Sequence, residues 1–196
     1  ASGMKSFRGV DRRFDFKVKT DKVVFLSDYT HHPNEIEQSV KSVRELYQDK
    51  KIAAIFQPHL YTRTRDFYKE FASALSLLDT VYLCDIYPAR ELPIEGVTSK
   101  LIYDNLRPGI EKHMIHKEDI LQVAKEKNFD VLMSLGAGDI ENYVPQITEI
   151  LAKTVGTYYF GRHRRNWGIW VITYSNNGVT MGDFVKDVFT YEDAVK

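Results

Sequence analysis

The sequence predicts a doubly wound α/β fold built on a mainly parallel sheet. Short apolar runs rich in β-branched residues alternate with amphipathic stretches of helical period from Val23 to about Lys153. These stretches are long enough to be the crossover helices that parallel strands require, and such helices cover both faces of a sheet. Histidine, arginine and glycine residues follow several of the apolar runs, at the position where ligands bind in sheets of this kind.

The composition is that of a globular protein with room for one main core. The chain has 196 residues, of which 43% are hydrophobic, and its 27 basic side chains balance 27 acidic ones. This balance argues against a protein that binds polyanions over its whole surface, because such binding depends on an excess of positive charge. Cys84 is the single cysteine, so we expect no internal disulfide, and we interpret it as a core residue rather than a nucleophile. Because no apolar run approaches the roughly 18 residues that span a bilayer and no signal-peptide pattern opens the chain, we expect a cytoplasmic protein.

The first predicted element is a β-hairpin. Residues 13–19 alternate between polar and apolar side chains with the period of a strand, and a turn-forming segment follows at residues 20–22. The apolar run at residues 23–26 forms the second strand of the hairpin.

The remaining elements continue the alternation. Pro33 is typical of a first helical residue, and the helix that it opens carries on one face Ile36, Val40, Val43 and Tyr47. Core strands are predicted at residues 51–57, 80–86 and 130–135, with a short apolar run at 113–115. Helices are predicted at residues 99–106 and 117–127, and two more are marked by one apolar face each: Phe67, Phe71, Leu75 and Leu78 in one, and Ile140, Val144, Ile147 and Leu151 in the other.

The composition changes after about residue 153, so we predict one domain at residues 5–153 and a small appendage at 154–196. The appendage is rich in aromatic residues. A strand is predicted at residues 167–174, a type I′ turn at Asn177-Gly178, and a returning strand at 179–181. A capping-box pattern at residues 190–193 predicts a helix start.

Several side chains that could carry chemistry follow the predicted strands. The adjacent His31 and His32 could contact phosphate, transfer protons or bind a metal; a metal is disfavoured because neither HExxH nor paired CxxC spacing occurs. The alternative is that one imidazole caps the helix and the other lies in solvent. His59 and Arg63 bracket the next strand end, where a guanidinium can bind a carboxylate or a phosphate, or else pair with a neighbouring acid.

Two further features of these strand ends have a structural as well as a functional interpretation. Asp28 could accept hydrogen bonds from a ribose, or cap the turn that follows it. The segment Gly136-Ala137-Gly138 is too short for GxGxxG and lacks the Lys-Ser/Thr of a phosphate-binding loop, so by itself it predicts a tight turn.

Taken together, the segments of this chain resemble a known family. The matching segments, in order, are residues 9–14 (GVDRRF), 27–33 (SDYTHHP), 56–66 (FQPHLYTRTRD), 85–91 (DIYPARE) and 135–140 (LGAGDI). In order and spacing they are similar to the C-terminal domain of the Mur ligases that add L-alanine to UDP-N-acetylmuramate.

The resemblance implies a Rossmann-like domain of an ADP-forming amide-bond ligase in peptidoglycan precursor synthesis. Such a domain closes over ATP and positions the amino acid, whereas ATP phosphates and Mg²⁺ are held mainly by a central P-loop domain. No GxxxxGK[ST] occurs in these 196 residues. We therefore expect no catalytic residue that acts alone, no resident metal, and no ligation by this chain without the N-terminal and central domains of such a ligase.

The resemblance also assigns roles to individual residues. It places Asp28, Tyr29 and His32 at the nucleotide, and His31, His59 and Arg63 at the amino-acid substrate. The chain departs from the family pattern at Leu60, where arginine is frequent, and at Ser27, where aspartate is frequent. The first departure removes one possible contact to the substrate carboxylate.

A second hypothesis treats the chain as a non-catalytic binding protein on a degraded ligase scaffold, with the appendage binding nucleic acid or protein. The basic segment at residues 162–165 is close in sequence to Trp167 and Trp170. Basic and aromatic side chains combined in this way could bind single-stranded nucleic acid by phosphate contacts and stacking. The alternative is a hairpin that packs its tryptophans on the preceding domain and leaves its arginines solvated.

Overall fold

The computed structural model describes residues 13–155, 158–163, 166–176 and 179–188, and side chains as far as residue 152. The chain forms two compact units that divide between Ile147 and Thr148. The domain boundary predicted from composition, at residue 153, falls inside the helix Val144–Val155. That boundary stays a prediction.

The first unit contains a six-stranded sheet. Its strands are β1 (Asp15–Lys19), β2 (Val24–Asp28), β3 (Ile52–Phe56), β4 (Thr80–Leu83), β5 (Glu111–Met114) and β6 (Val131–Leu135), in the spatial order β1-β2-β6-β3-β4-β5. β1 pairs antiparallel with β2, and every other neighbouring pair is parallel. The predicted fold class and the opening hairpin are therefore confirmed.

The helices connect these strands as the alternation predicts. They are α1 (Pro33–Leu46), α2 (Tyr61–Leu75), α3 (Lys100–Asn105), α4 (Ile120–Glu126) and α5 (Val144–Val155). Single 3-10 turns, Lys117–Asp119 and Asp139–Tyr143, precede α4 and α5. Within the described ranges, no helix combines the length and the apolar character needed to cross a bilayer.

The chain order fixes which face of the sheet each helix covers. From β2 to β5 the strands advance in one direction across the sheet, and β6 returns to lie between β2 and β3. Right-handed crossovers therefore place α1, α2 and α3 on one face and α4 on the other. The core of the first face agrees, because buried side chains of α1, α2 and α3 such as Ile36, Phe71 and Ile102 pack with alternate strand residues, including Leu26 and Met133.

Two residues predicted on helix faces are placed differently. Phe67 was expected in the core, but it is 36% exposed because the backbone of α2 is non-helical at this residue (φ −127°, ψ 17°). The apolar period that includes Phe71 and Leu75 consequently does not extend back to it. Leu78 is buried as expected, but it lies beyond the end of α2 rather than in the helix.

The second unit contains a three-stranded antiparallel sheet. Its strands are β7 (Tyr158–His163), β8 (Asn166–Asn176) and β9 (Val179–Val188), in the order β7-β8-β9. The two strands predicted at residues 167–174 and 179–181 are confirmed, and both are longer than predicted. β7 was missed because its sequence YYFGRH shows no polar–apolar alternation. The predicted turn at residues 177–178 and the helix start at 190–193 lie outside the described residues.

Candidate functional site

Four loops meet at the carboxyl edge of the sheet. The strands β2, β6, β3 and β4 are parallel neighbours, so the loops that follow them lie side by side. We call the surface formed by residues 29–32, 57–63, 85–91 and 136–139 the strand-end site. It includes all of the residues predicted to bind ligand except Asp28, which is the last residue of β2.

Two of these loops are joined by backbone hydrogen bonds. His59 and Tyr87 form an isolated parallel bridge just beyond the ends of β3 and β4. The Leu60 amide donates to the Tyr87 carbonyl at 2.9 Å, and the Tyr87 amide donates to the Pro58 carbonyl at 2.8 Å. The position of His59 is therefore set by the neighbouring loop as well as by its own strand.

A row of rings crosses the site. The ring centroids are 5.8 Å apart for Tyr29 and His31, 6.2 Å for His31 and His59, and 5.6 Å for His59 and Tyr87. The last pair is stacked, with an interplanar angle of 28°. The structure thus brings together His31 and His59, both of which the resemblance assigns to the amino-acid substrate.

Arg63 completes this group one helical turn after His59. Its Nη1 lies 3.5 Å from His59 Nδ1. Burial, then the positive charge of Arg63 and the neighbouring His31, lower the pKa of His59, so its imidazole is neutral at pH 7. In the part of the chain whose side chains are described, no carboxylate forms an ion pair with Arg63. The guanidinium is therefore available to an acidic ligand.

The two adjacent histidines play different structural parts. His32 is the N-cap of α1: its Nδ1 accepts from the Asn34 amide at 3.4 Å, while the Glu35 carboxylate accepts from the His32 amide at 3.3 Å. This capping is the alternative that the sequence left open. The His32 ring also packs against Phe67, with centroids 5.3 Å apart.

His31 is held by its own loop. Its Nδ1 lies 3.1 Å from the Tyr29 carbonyl, which can only accept a hydrogen bond, so the proton of a neutral imidazole resides on Nδ1. The Nε2 nitrogen then carries the lone pair. This tautomer makes His31 a hydrogen-bond acceptor toward a ligand.

Asp28 lies beneath the loop that follows β2, and it is not part of the surface of that loop. It is 5% exposed, and its carboxylate accepts from Ser39 Oγ at 2.6 Å and from the backbone amides of Phe14 and Thr30. Burial raises the pKa of Asp28, and these hydrogen bonds partly offset the effect. The bond to Thr30 is the turn-capping alternative. A ribose contact would require this carboxylate to give up part of its present hydrogen bonding, and that contact stays a prediction.

Tyr29 lines a small cavity beside Asp28. The cavity has a volume of about 50 Å³ and is lined also by Arg13, Thr30 and Glu35. It holds water-sized groups only, so a nucleoside would have to lie over Tyr29 rather than inside the cavity.

The glycine turn after β6 has a packing function that the sequence did not reveal. A Cβ at Gly136, where φ is +135°, would lie 2.6 Å from the Gln57 carbonyl oxygen. A Cβ at Gly138 would lie 2.3 Å from Gln57 Oε1 and 2.8 Å from Tyr87 Cβ. The Gln57 amide donates to Asp139 Oδ1 at 2.6 Å and accepts from the Ile140 amide at 2.9 Å. The glycines therefore let the loops of β3 and β4 approach β6 closely.

Sequence reasoning missed Gln57 and Glu91, whose side chains hold parts of the strand-end site together. Gln57 joins the loops of β3 and β6, and Glu91 bonds to the start of α2. One signal for Glu91 was available, because α2 begins after Leu60, a residue type that cannot cap a helix with its side chain. A helix start of this kind indicates a cap supplied from elsewhere.

Two further candidates for reactive chemistry are the thiol of Cys84 and a cluster of metal ligands. Cys84 is 1% exposed, and burial raises the pKa of its thiol to about 12, which agrees with the predicted core role. Among the residues whose side chains are described, no three His, Cys, Asp or Glu side chains come together as a metal site would require.

These observations define a doubly wound α/β domain with an imidazole and guanidinium site at the carboxyl ends of its strands. The family model of the Mur ligase, glutamate ligase domain, matches residues 12–139. The chain belongs to this family, and the resemblance predicted from the sequence motifs is confirmed.

Among similar proteins are the UDP-N-acetylmuramate–L-alanine ligases of Phocaeicola vulgatus and Parabacteroides distasonis. The chain is 73% identical to the first over 151 residues and 51% identical to the second over 153 residues. These matches cover 77% and 78% of this chain and 33% of each relative. The chain thus spans about a third of the length of the curated relatives, and it corresponds to their C-terminal third.

Solved structures agree with the sequence comparison. The crystal structure of the UDP-N-acetylmuramate–alanine ligase MurC from Thermotoga maritima matches with a TM-score of 0.63 at 27% identity, over 78% of this chain and 33% of that one. A murein peptide ligase from Psychrobacter arcticus shares the fold at 17% identity, with a TM-score of 0.59 over 76% of this chain and 32% of that one.

The side chains of the three-stranded sheet lie outside the described residues, so the nucleic-acid hypothesis for residues 154–196 stays a prediction.

Proposed function

We propose that this chain supplies the amino-acid-positioning and nucleotide-closing surface of a cytoplasmic, ATP-dependent ligase that joins L-alanine to UDP-N-acetylmuramate in peptidoglycan precursor synthesis. The observation that carries the proposal is the pairing of Arg63 with a neutral His59 at the strand-end site. The names of the relatives that match this chain support the choice of substrates.

The carboxylate of L-alanine is assigned to Arg63 and His59. A guanidinium offers a planar fork of donors that fits a carboxylate, and in the described residues no acid of the protein competes for it. Neutralising the carboxylate matters because the amine must approach an acyl phosphate that is itself anionic. Leu60 offers no second guanidinium at this position, so Arg63 carries this role.

The amine of L-alanine is assigned to His31. Because Nδ1 donates to the Tyr29 carbonyl, Nε2 is free to accept a hydrogen bond from the amine. This bond would orient the nitrogen lone pair toward the acyl carbon, and the imidazole could take up the proton released when the amide bond forms.

The nucleotide is assigned to the loop that holds Tyr29 and His32. Tyr29 offers a ring for stacking above the small cavity, and Asp28 sets the position of the loop from below. When bound, Mg²⁺ and ATP would supply phosphoryl activation of the UDP-N-acetylmuramate carboxylate, with the phosphates held mainly by a P-loop that these 196 residues do not contain. Ligation accordingly requires N-terminal and central ligase domains.

The proposal is tested by two-dimensional NMR titration of this chain with L-alanine, followed by ATP. We expect L-alanine to shift signals of His31, His59 and Arg63, and we expect the shifts to disappear in Arg63→Gln. Arg107→Gln is the matched control, because Arg107 is exposed and lies away from the strand-end site. No shift at these residues at millimolar L-alanine would contradict the proposed amino-acid site.

A second assay tests the expectation that the chain does not ligate alone. Incubation with ATP, Mg²⁺, UDP-N-acetylmuramate and L-alanine should release no phosphate above the no-enzyme rate. Turnover by the isolated chain would overturn this part of the proposal.

A further inference from the structure

The helix α2, which carries Arg63, begins without a cap from its own N-terminal residue. The N-cap is Leu60, whose side chain makes no capping hydrogen bond. The first amide groups of a helix have no partner within the helix, so they need an acceptor from elsewhere.

Glu91, in the loop after β4, supplies that acceptor. Its Oε2 accepts from the Thr62 amide at 3.0 Å, and its Oε1 accepts from Thr62 Oγ1 at 2.5 Å. The Tyr61 amide also donates to this carboxylate. These bonds, led by the one from the Thr62 hydroxyl, hold the pKa of Glu91 below its usual range, so the carboxylate is ionised when it caps the helix.

The residue between His59 and the helix is conformationally strained. Leu60 has φ 74° and ψ 136°, a left-handed conformation that residues with a Cβ rarely adopt. Such a conformation persists only where the surroundings hold the chain on both sides. On one side the Leu60 amide bonds to Tyr87, and on the other the first turn of α2 is fixed by Glu91.

We propose that Glu91 is a positioning residue that, by capping α2 from the neighbouring loop, holds Leu60 in its strained conformation and so keeps His59 and Arg63 in the arrangement that binds a carboxylate. His59 immediately precedes Leu60, and Arg63 immediately follows Thr62, so a relaxation of this turn would move both groups. The carboxylate-binding role rests on the proposed function, whereas the positioning of the two side chains does not.

The ionised Glu91 lies near the site and raises the pKa of His59 slightly against the stronger effects of burial and Arg63. A purely electrostatic role and a positioning role must therefore be separated. The bond from the neutral Thr62 hydroxyl allows this, because Thr62→Val breaks it without changing any charge.

The test measures, by NMR on this chain, the contact between the His59 and Tyr87 rings, the hydrogen-exchange rate of the Thr62 amide, and the dissociation constant for L-alanine. Glu91→Gln and Thr62→Val are each expected to weaken the contact between the two rings and to accelerate hydrogen exchange at the backbone amide of residue 62 about tenfold or more. Both variants are also expected to bind L-alanine several-fold more weakly. Thr62→Ser restores the hydroxyl and should recover the ring contact. Glu95→Gln removes an exposed charge from the same loop and should match the parent chain.

The outcomes separate the two proposals. If Glu91→Gln and Thr62→Val both retain the parent ring contact and Thr62 exchange rate, the positioning role is overturned. If only Glu91→Gln has an effect, the role is electrostatic, which also overturns the inference. If the parent chain fails to bind L-alanine, the proposed amino-acid site is contradicted, while ring contact and exchange still decide the role of Glu91. Should Glu91→Gln fail to fold, Thr62→Val and Thr62→Ser decide it.

Discussion

His59 and Tyr87 are linked twice, by a parallel backbone bridge and by stacking of their rings with centroids 5.6 Å apart. The two residues follow neighbouring strands, β3 and β4, and neither contact is local in sequence. The position of the His59 imidazole is therefore maintained by a second loop. This dependence makes the site sensitive to substitutions that alter how the loops approach one another.

The first prediction concerns stability at mildly acidic pH. Burial and neighbouring positive charge lower the pKa of His59 below its ordinary value near 6.5, so the folded protein favours the neutral imidazole. The stability that this group contributes is present above pH 6.5 and is lost as the pH falls through the lowered folded-state value.

Urea unfolding between pH 7.5 and 5 should show this loss, and His59→Gln should reduce the slope of the unfolding free energy against pH. His113→Gln serves as a comparison, since His113 is exposed in β5, away from the site, and its ring bonds to Glu111, whose titration lies below this pH range. An identical slope in His59→Gln and the parent would contradict the assigned burial of this imidazole.

The second prediction concerns the glycine turn. Gly138→Ala places a methyl group against Gln57 Oε1 and Tyr87 Cβ, at a backbone φ of −98° that alanine accepts, so its cost is steric. We expect a loss of about 1–3 kcal/mol in the free energy of unfolding, as for other overpacked sites. The His59–Tyr87 contact should change as well, because Tyr87 must shift.

Gly109→Ala separates crowding from backbone strain. Gly109 has φ +84° and nothing within 4 Å of an added Cβ, so this variant is expected to lose about 1 kcal/mol through backbone strain and to leave the site unchanged. If Gly138→Ala were as stable as the parent, the close approach of the loops would not require glycine.

The third prediction concerns the buried carboxylate of Asp28 beneath the loop that follows β2. Ser39→Ala removes the Oγ donor that lies 2.6 Å from Asp28 and leaves the carboxylate with backbone donors only. We expect a loss of about 1–3 kcal/mol in the free energy of unfolding, measured by urea titration, because a buried carboxyl group loses a hydrogen-bond partner. The amide signals of Tyr29 and His31 should shift, since Asp28 holds the start of their loop.

Ser42→Ala provides the control on the same helix, as Ser42 is exposed. It should change stability by no more than about 0.5 kcal/mol. Equal effects of the two alanine variants would show that the Ser39–Asp28 bond adds nothing to the stability of the fold.

The fourth prediction concerns acid sensitivity at the edge of the sheet. Glu111, in β5, accepts from Lys51 Nζ at 2.8 Å and from Thr80 Oγ1 at 3.0 Å. The Lys51 bond and a bond with His113 are the main causes that lower the pKa of Glu111 from 4.5 to about 2. The stability it contributes is therefore present above pH 4.5 and is lost as the pH falls toward 2.

Carboxyl-detected NMR titration measures this pKa directly, and Glu111→Gln should flatten the decline of stability between pH 4.5 and 2. Glu118→Gln, at an exposed position, is the control. A Glu111 pKa near 4.5 in the folded chain would contradict the bonding described for β5.

Much of the site could be predicted from the sequence, because the apolar periodicity located the strand ends. Once β2 and β3 were located, His31, His59 and Arg63 had to lie near the carboxyl edge of the sheet. The pattern could not show that His32 caps α1 or that Asp28 is buried under Ser39, because both facts depend on how the loop after β2 meets α1. It also misplaced Phe67, since a period assumes a regular helix and α2 is interrupted there.

The sequence by itself determined the α/β class, the order of strands and helices in the first unit, and the membership in the Mur ligase family that five ordered segments indicated. The class and the order of elements follow from local period and residue type, which act over a few residues at a time. The family membership follows from the resemblance of those segments, which periodicity alone does not show. The tertiary structure alone decided that β6 lies between β2 and β3, that Gln57 bridges to Asp139, and that Glu91 caps α2. Such contacts join residues far apart in the chain, and their geometry exists only after the sheet has assembled and its loops have come together.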